Sequence, residues 1–270
     1  MFHVKHPDAR DPGGVEEPVP VGTSASAGVP TEPRVLPEVE EADPIGEPPA
    51  AAAAVFGERL GLVHRYAAHL VGSGVEWGLV GPREAPRIWE RHLLNCAVVA
   101  ELLPDGARTV DVGSGAGLPG IPLALARPDL SVVLVEPLAR RVDWLRRVVE
   151  DLGLPVRVVR GRAEEPAVRA RWEGADVVTA RAVAPLHRLA GWALPLVRPG
   201  GSLLALKGAT AADEVTRDAA AVRRLGGSTP RVVHCGADLV SPPSTVVVVE
   251  RSRGVGRRPA RPRRWREERT

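Results

Sequence analysis

The run Val110-Asp111-Val112-Gly113-Ser114-Gly115-Ala116-Gly117-Leu118-Pro119-Gly120 decides how the rest of the chain is read. It joins a short β-branched stretch to a segment with helical character. Three alternate glycines permit positive φ angles and carry no Cβ, so the backbone can pass close to a ligand. The turn follows the first strand of an alternating α/β pattern, at the edge where open sheets bind their ligands. Two spacings overlap in it. From Gly115 it reads Gly-x-Gly-x-x-Gly, a dinucleotide fingerprint with pyrophosphate at a helix N-terminus. From Gly113 it reads Asp-x-Gly-x-Gly-x-Gly, with the acid Asp111 ending the strand. A carboxylate there suits a ligand with a cationic aminoacyl or sulfonium end and repels a pyrophosphate. Pro119 and Pro122 also lack the backbone donors that a phosphate would use. S-adenosylmethionine therefore fits the run better than NAD, and a plain turn has no use for three glycines.

On either side of the turn the periodicity is legible. Phe56, Leu60, Val63, Ala67 and Leu70 recur at three-to-four spacing, which predicts an amphipathic helix ended by Gly72 and Gly74. A second helical run is expected over residues 87–103, closed by Pro104. Strands are expected at 108–112, 131–135, 156–160, 176–179, 202–206, 231–235 and 245–249. Helical segments lie between the first six, among them 138–152, with Val142, Leu145, Val149 and Leu152 on one face, 186–197 and 211–225. This alternation predicts a three-layer α/β sandwich around a mostly parallel, seven-stranded sheet. A loop rather than a helix joins the last two runs, so an antiparallel hairpin is expected at that edge. Trp144 and Trp192, both on amphipathic helices, are expected in the core.

Composition sets the outer bounds. In 270 residues, 44% hydrophobic and 26% charged, the chain has ordinary globular usage, which excludes a collagen-like, coiled-coil or wholly disordered protein. Residues 1–50 hold ten prolines and ten acids against three basic residues, a net charge of −7; a disordered acidic head is expected there. Residues 251–270 hold nine arginines against two acids, a net of +7, and read as a flexible Arg-rich tail. Its Trp265 is either a phosphate-and-base contact or part of a solvated end. Between them, residues 51–104 form a helical cap and 105–250 the ligand-binding domain. The charge asymmetry points to a polyanionic partner. Cys96 and Cys235 give neither a disulfide framework nor a metal-ligand spacing, and a reduced, cytoplasmic setting fits them. No run resembles a signal peptide or a membrane span.

Glu136 ends the second expected strand. An acid at that tip can accept hydrogen bonds from both ribose hydroxyls of a nucleoside, a feature NAD enzymes share.

The stretch from Asp111 through Gly-Leu-Pro-Gly-Ile-Pro to Leu123 resembles the signature of the bacterial small-subunit ribosomal RNA guanine-N7 methyltransferases, once called glucose-inhibited division protein B. So do Arg91-His92-Leu93-Leu94, Arg140-Arg141-Val142, Gly161-Arg162-Ala163-Glu164-Glu165, Ala180-Arg181-Ala182 and Leu206-Lys207-Gly208, in order across about residues 55–250. The resemblance implies a class I S-adenosylmethionine-dependent methyltransferase fold, Rossmann-like, over residues 105–250. It implies S-adenosylmethionine as cofactor, and 16S ribosomal RNA or the small ribosomal subunit as partner. The family's cofactor contacts would fall on Gly113, Leu118, Ala163, Glu164 and Arg181, beside Asp111, Gly115 and Glu136 from the reading of the residues. Ala163 and Glu164 can flank an adenine, although Glu164 and Glu165 can equally begin a helix. Arg181 would act on the cofactor or on RNA phosphate. Lys207 and His92 are RNA-binding candidates; the competing readings are a strand-end surface charge and a satisfied helix histidine. Guanine N7 carries a free lone pair, so transfer requires no general base and rests on alignment. A monomer without metal is expected. The alternatives are a methyltransferase acting on another RNA or a small molecule, an NAD-binding oxidoreductase tolerant of Asp111→Asn, and a non-catalytic RNA-binding protein.

Overall fold

In the computed structural model, which describes residues 45–252, the seven β-branched runs pair into one sheet. The strands are β1 (Arg108–Val112), β2 (Ser131–Glu136), β3 (Arg157–Arg160), β4 (Ala175–Arg181), β5 (Val197–Leu206), β6 (Arg231–Cys235) and β7 (Ser244–Glu250). Their order is β3-β2-β1-β4-β5-β7-β6, and β7 alone runs against its neighbours. This is the class I methyltransferase arrangement with the expected terminal hairpin. The chain reverses outward between β1 and β4, which places a crevice over the tip of β1.

The helices are α1 (Ala50–Phe56), α2 (Leu60–Val71), α3 (Ser73–Glu76), α4 (Asn95–Ala97), α5 (Gly120–Ala126), α6 (Ala139–Asp151), α7 (Pro166–Trp172), α8 (Leu186–Ala193) and α9 (Ala211–Arg224). Strand alternation sorts the sheet into two faces. Val110, Val112, Val178, Ala180, Leu203 and Ala205 pack with residues of α7, α8 and α9. Val132, Leu134, Val177, Leu204 and Leu206 pack with α5, α6 and the N-terminal helices. Each large apolar side chain fully buried this way contributes roughly 1.5–3 kcal/mol.

Local structure differs from expectation in several places. The second helical run, expected over 87–103, is preceded by a 3-10 stretch (Pro82–Arg87) and divides into a π-helix (Ile88–Leu94), α4 and a further 3-10 stretch (Val98–Leu102). Pro82 and Pro86 withhold backbone donors just ahead of it, and π-turns concentrate at functional sites. The helix expected to reach residue 197 stops at Ala193, because Val197 already pairs with Ala175 in the sheet. Trp144 is buried as expected, its Nε1 donating to Ser73 Oγ at 3.0 Å, but Trp192 is half-buried with the Arg188 guanidinium 5.3 Å from its ring. Ile45 is buried and Trp89 Nε1 donates to Gly46 O at 3.4 Å, so packing begins ahead of residue 50. The rest of the acidic head, the Arg-rich tail beyond residue 252 and Trp265 lie outside the described residues.

Candidate active site

The glycine-rich turn crosses the tip of β1, and its glycines differ in what they require. Gly113 has φ +67°, and a Cβ there would lie 2.8 Å from Val183 Cγ2. Gly117 has φ +88° and would drive a Cβ into Ile121, with Tyr66 Oη 3.1 Å away. Gly120 has no room either, for Leu134 and Asp111 stand against it. Gly115, at φ +57°, meets only Gly113 O at 3.9 Å. Packing accounts for the first three; the open face at Gly115 is where the turn leaves room for something else. Of residues 111–120, Gly113, Gly115 and Leu118 alone keep part of their surface accessible. Those are three of the expected cofactor positions, and they form one cradle.

Asp111 is a correction. It belongs to the strand face that packs against α5, and it is fully buried beneath the turn. Its Oδ1 accepts from Thr179 Oγ1 at 2.8 Å and its Oδ2 from the Gly120 amide at 3.4 Å. Burial pushes the carboxyl up to about 7 against the pull of these donors, with nearby Glu136 adding to the rise. The residue pins the turn to β4 from behind and does not present a carboxylate to a ligand. Tolerance of Asp111→Asn therefore no longer separates one ligand from another.

Glu136 sits at the expected tip of β2, is itself buried, and reaches the turn from beside it. Its Oε2 accepts from the Gly115 amide at 3.0 Å and its Oε1 from the Leu138 amide at 3.0 Å. Each oxygen retains a second lone pair. The tip of β3 is tied to the same place, since the Gly161 amide donates to Glu136 O at 3.2 Å. Ala163, just beyond, is buried in the α7 face, and Glu164 is half-buried. Helix α7 begins only at Pro166, with Glu165 at its N-cap position, so Glu164 stays in the loop between β3 and α7.

The N-terminal helices close the cradle from the other side. Tyr66 of α2 is fully buried and donates its hydroxyl to Ala116 O at 2.6 Å. Burial raises its pKa well above the ordinary phenol value, so the proton for this bond stays in place. The sequence gives no sign of this role. A tyrosine at helical spacing reads as core, and its acceptor is 50 residues away.

Arg181 and His92, expected at cofactor or RNA, meet each other instead. Arg181 Nη2 donates to His92 Nδ1 at 2.9 Å and to Arg91 O at 3.3 Å, while Nη1 lies 3.1 Å from Cys96 Sγ. His92 Nε2 lies 2.8 Å from Glu84 Oε2. Because Arg181 can only donate, Nδ1 must be unprotonated and Nε2 carries the hydrogen. The π-turn over Ile88–Leu94 brings these groups to the tip of β4. Burial, reinforced by the Arg181 charge, lowers the His92 pKa; the hydrogen bond from His92 holds the Glu84 carboxyl below its usual range. The unfolded chain thus takes up a proton near the ordinary imidazole value of about 6.5, whereas folded His92 resists until a lower pH. Stability should fall as pH drops through that window. Thermal midpoints of wild type and His92→Gln, compared from pH 8 down to pH 5, should show the acid decline weakened in the variant; parallel curves would contradict the assignment.

Lys207, the other RNA candidate, is likewise engaged within the protein. Its Nζ donates to Ala184 O at 2.9 Å and pairs with Glu214 Oε2 at 2.9 Å. The residues that the sequence singled out thus lie at the carboxyl edge of the sheet, where Gly113, Gly115, Leu118 and Glu164 keep part of their surface accessible. Asp111, Arg181, His92 and Lys207 brace it.

Comparison with known proteins gives this geometry a family. The family model for rRNA small subunit methyltransferase G matches residues 59–241. The chain is 58% identical over 237 residues to ribosomal RNA small subunit methyltransferase G of Salinispora arenicola, covering 86% of this chain and 98% of that one. Against the protein of the same name from Mycolicibacterium gilvum the figures are 56% over 222 residues, 82% and 98%. Among solved structures, Aeropyrum pernix fibrillarin in complex with S-adenosyl-L-methionine is similar with 22% identity and a TM-score of 0.46, over 59% of this chain and 74% of that one. With a family model spanning most of the described residues and relatives this similar along nearly their whole length, the chain belongs to the rRNA small subunit methyltransferase G family.

Proposed function

We propose that this protein transfers a methyl group from S-adenosylmethionine to N7 of a guanine in 16S ribosomal RNA. The observation that carries the reading is the cradle at Gly113, Gly115 and Leu118, where protein packing leaves the face of Gly115 unfilled. These three residues would hold the cofactor's aminoacyl side. Glu136 would hold the ribose hydroxyls with the lone pairs not engaged by Gly115 and Leu138, and Glu164, with Ala163 behind it, the adenine. An NAD-binding oxidoreductase loses its support with the family assignment.

When bound, S-adenosylmethionine supplies an electrophilic methyl on a sulfonium. The protein's part is to orient. N7 brings its own lone pair, so no side chain has to remove a proton, and alignment of nucleophile and methyl provides the acceleration. The braces at Tyr66, Asp111 and Arg181 serve that end by keeping the turn and the β4 tip fixed. Among the described residues no helix is long and apolar enough to cross a membrane; we place the protein in the cytoplasm as a monomer acting on RNA or the small subunit. The domain division proposed is a helical cap over residues 51–104 and a transferase domain over 105–250, flanked by the acidic head and basic tail. Labelled methyl transfer to undermethylated 16S RNA and to small subunits tests the reading: label should enter RNA. No label in either substrate would contradict it.

A further inference from the structure

Lys207 is the only lysine between residues 51 and 250, and it directly follows β5. Its side chain and that of Glu214 are 15% and 11% exposed, so the pair is largely withdrawn from water. Lys207 Nζ bonds Ala184 O at 2.9 Å and both Glu214 oxygens, at 2.9 and 3.0 Å. Glu214 Oε1 in turn accepts from the Leu186 amide at 2.6 Å. Four residues on along α9, buried Asp218 accepts from the His187 amide at 3.1 Å. Helix α8 follows Pro185 and has no side-chain cap of its own. Two carboxylates one turn apart on α9 therefore supply the acceptors that its first amides need.

What this clamp holds is the 182–185 segment between β4 and α8. Ala182 adopts φ +56°, a left-handed conformation that an L residue keeps only where its surroundings enforce it. The next residue, Val183, lies against Gly113, within 2.8 Å of where a Cβ would stand. A continuous line of contacts thus runs from the Lys207–Glu214 pair through Ala184 and Leu186 to Val183 and the cradle.

We infer that Lys207 is a positioning residue that, paired with Glu214, fixes the 182–185 segment and so sets Val183 as the wall of the S-adenosylmethionine cradle, rather than a contact for RNA phosphate. The inference rests on the proposed cofactor reading. It separates two roles that activity alone would confuse, because loss of either lowers methyl transfer.

The test uses the full-length chain with Lys207→Met and Glu214→Gln combined, so that neither charge is left buried alone. S-adenosylmethionine affinity is measured by calorimetry, RNA affinity as a function of salt by filter binding, and folding by thermal melting. The double variant should bind the cofactor about tenfold more weakly, with the salt dependence of RNA binding unchanged. Val183→Ala, which leaves the clamp untouched, should weaken cofactor binding as well, and it decides the matter if the double variant does not fold. The inference is overturned if cofactor affinity is unchanged in Val183→Ala. It is also overturned if the double variant keeps its cofactor affinity while the salt slope of RNA binding drops by about one, as for loss of a phosphate contact. A wild-type chain that binds RNA but no S-adenosylmethionine would instead overturn the cofactor reading, and the inference with it.

Discussion

Gly113→Asp should lower S-adenosylmethionine affinity by about a hundredfold or more, equivalent to about 3 kcal/mol, while leaving a folded protein. An L residue at φ +67° costs about 1–2 kcal/mol, and aspartate tolerates that region better than most residues. Crowding matters more than this backbone cost. The new Cβ stands 2.8 Å from Val183 Cγ2, so either Val183 or the turn must move, and the carboxylate then fills the cradle itself. Gly113→Ala, which displaces Val183 without filling the cradle, should fall between. Gly115→Ala gives the sharper comparison. No side chain lies within 4 Å of its Cβ, so its effect on melting should reflect the same backbone strain of about 1–2 kcal/mol alone. A drop in cofactor affinity well beyond that strain would locate the ligand at the open face of Gly115. Calorimetric affinities and melting temperatures of the three variants make the check, and an affinity for Gly113→Asp equal to wild type would mean that the cofactor does not sit in the cradle.

Asp111 should show the largest effect on folding. Asp111→Ala should destabilise the protein by about 3–5 kcal/mol, since it leaves the Thr179 hydroxyl and the Gly120 amide without their acceptor in a buried site. Asp111→Asn keeps the volume and, with its amide turned so that the oxygen accepts from Gly120, keeps that bond and reverses the other, its NH2 donating to the Thr179 hydroxyl oxygen. The pH dependence separates the charge from the hydrogen bonds. Folded Asp111 has its pKa pushed up to about 7 by burial, against an ordinary value of about 3.9. Between those values the native state binds more protons than the unfolded chain, so this residue makes stability fall as pH rises through that window. Asparagine lacks the effect. From pH 5 to pH 8, Asp111→Asn should therefore gain roughly 2–3 kcal/mol relative to wild type in urea unfolding. An unchanged difference between the two proteins would mean that the carboxyl titrates normally and is not shut behind the turn.

These two residues also show where sequence is informative and where it stops. The glycine spacing is legible because backbone freedom belongs to the residue type, whatever lies around it. The seven strands are legible for a related reason: runs such as Ser131–Glu136 and Ser244–Glu250 are too apolar and β-branched for another reading. Side-chain direction is not written locally. Asp111 ends its run of apolar neighbours like a ligand-binding acid, yet strand alternation turns it under α5, and only Thr179, 68 residues on, identifies its work. Arg181 ends β4 and Lys207 directly follows β5, but the partners Glu84, Cys96 and Glu214 come from other elements, so the local sequence does not show that tertiary packing engages His92, Arg181 and Lys207 within the protein. Tyr66 and the π-turn over Ile88–Leu94 carry no local signal. Both depend on how the N-terminal helices meet the sheet.

The most direct measurement is the position of the methyl group. Undermethylated 16S RNA and small subunits are incubated with the protein and S-adenosylmethionine, reduced, and treated with aniline, which cleaves the chain at N7-methylguanine. Cleavage is expected at one guanine, dependent on the cofactor and absent with Gly113→Asp. Methyl incorporation without cleavage, or cleavage that survives in Gly113→Asp, would contradict transfer to guanine N7 from a cofactor held in this cradle.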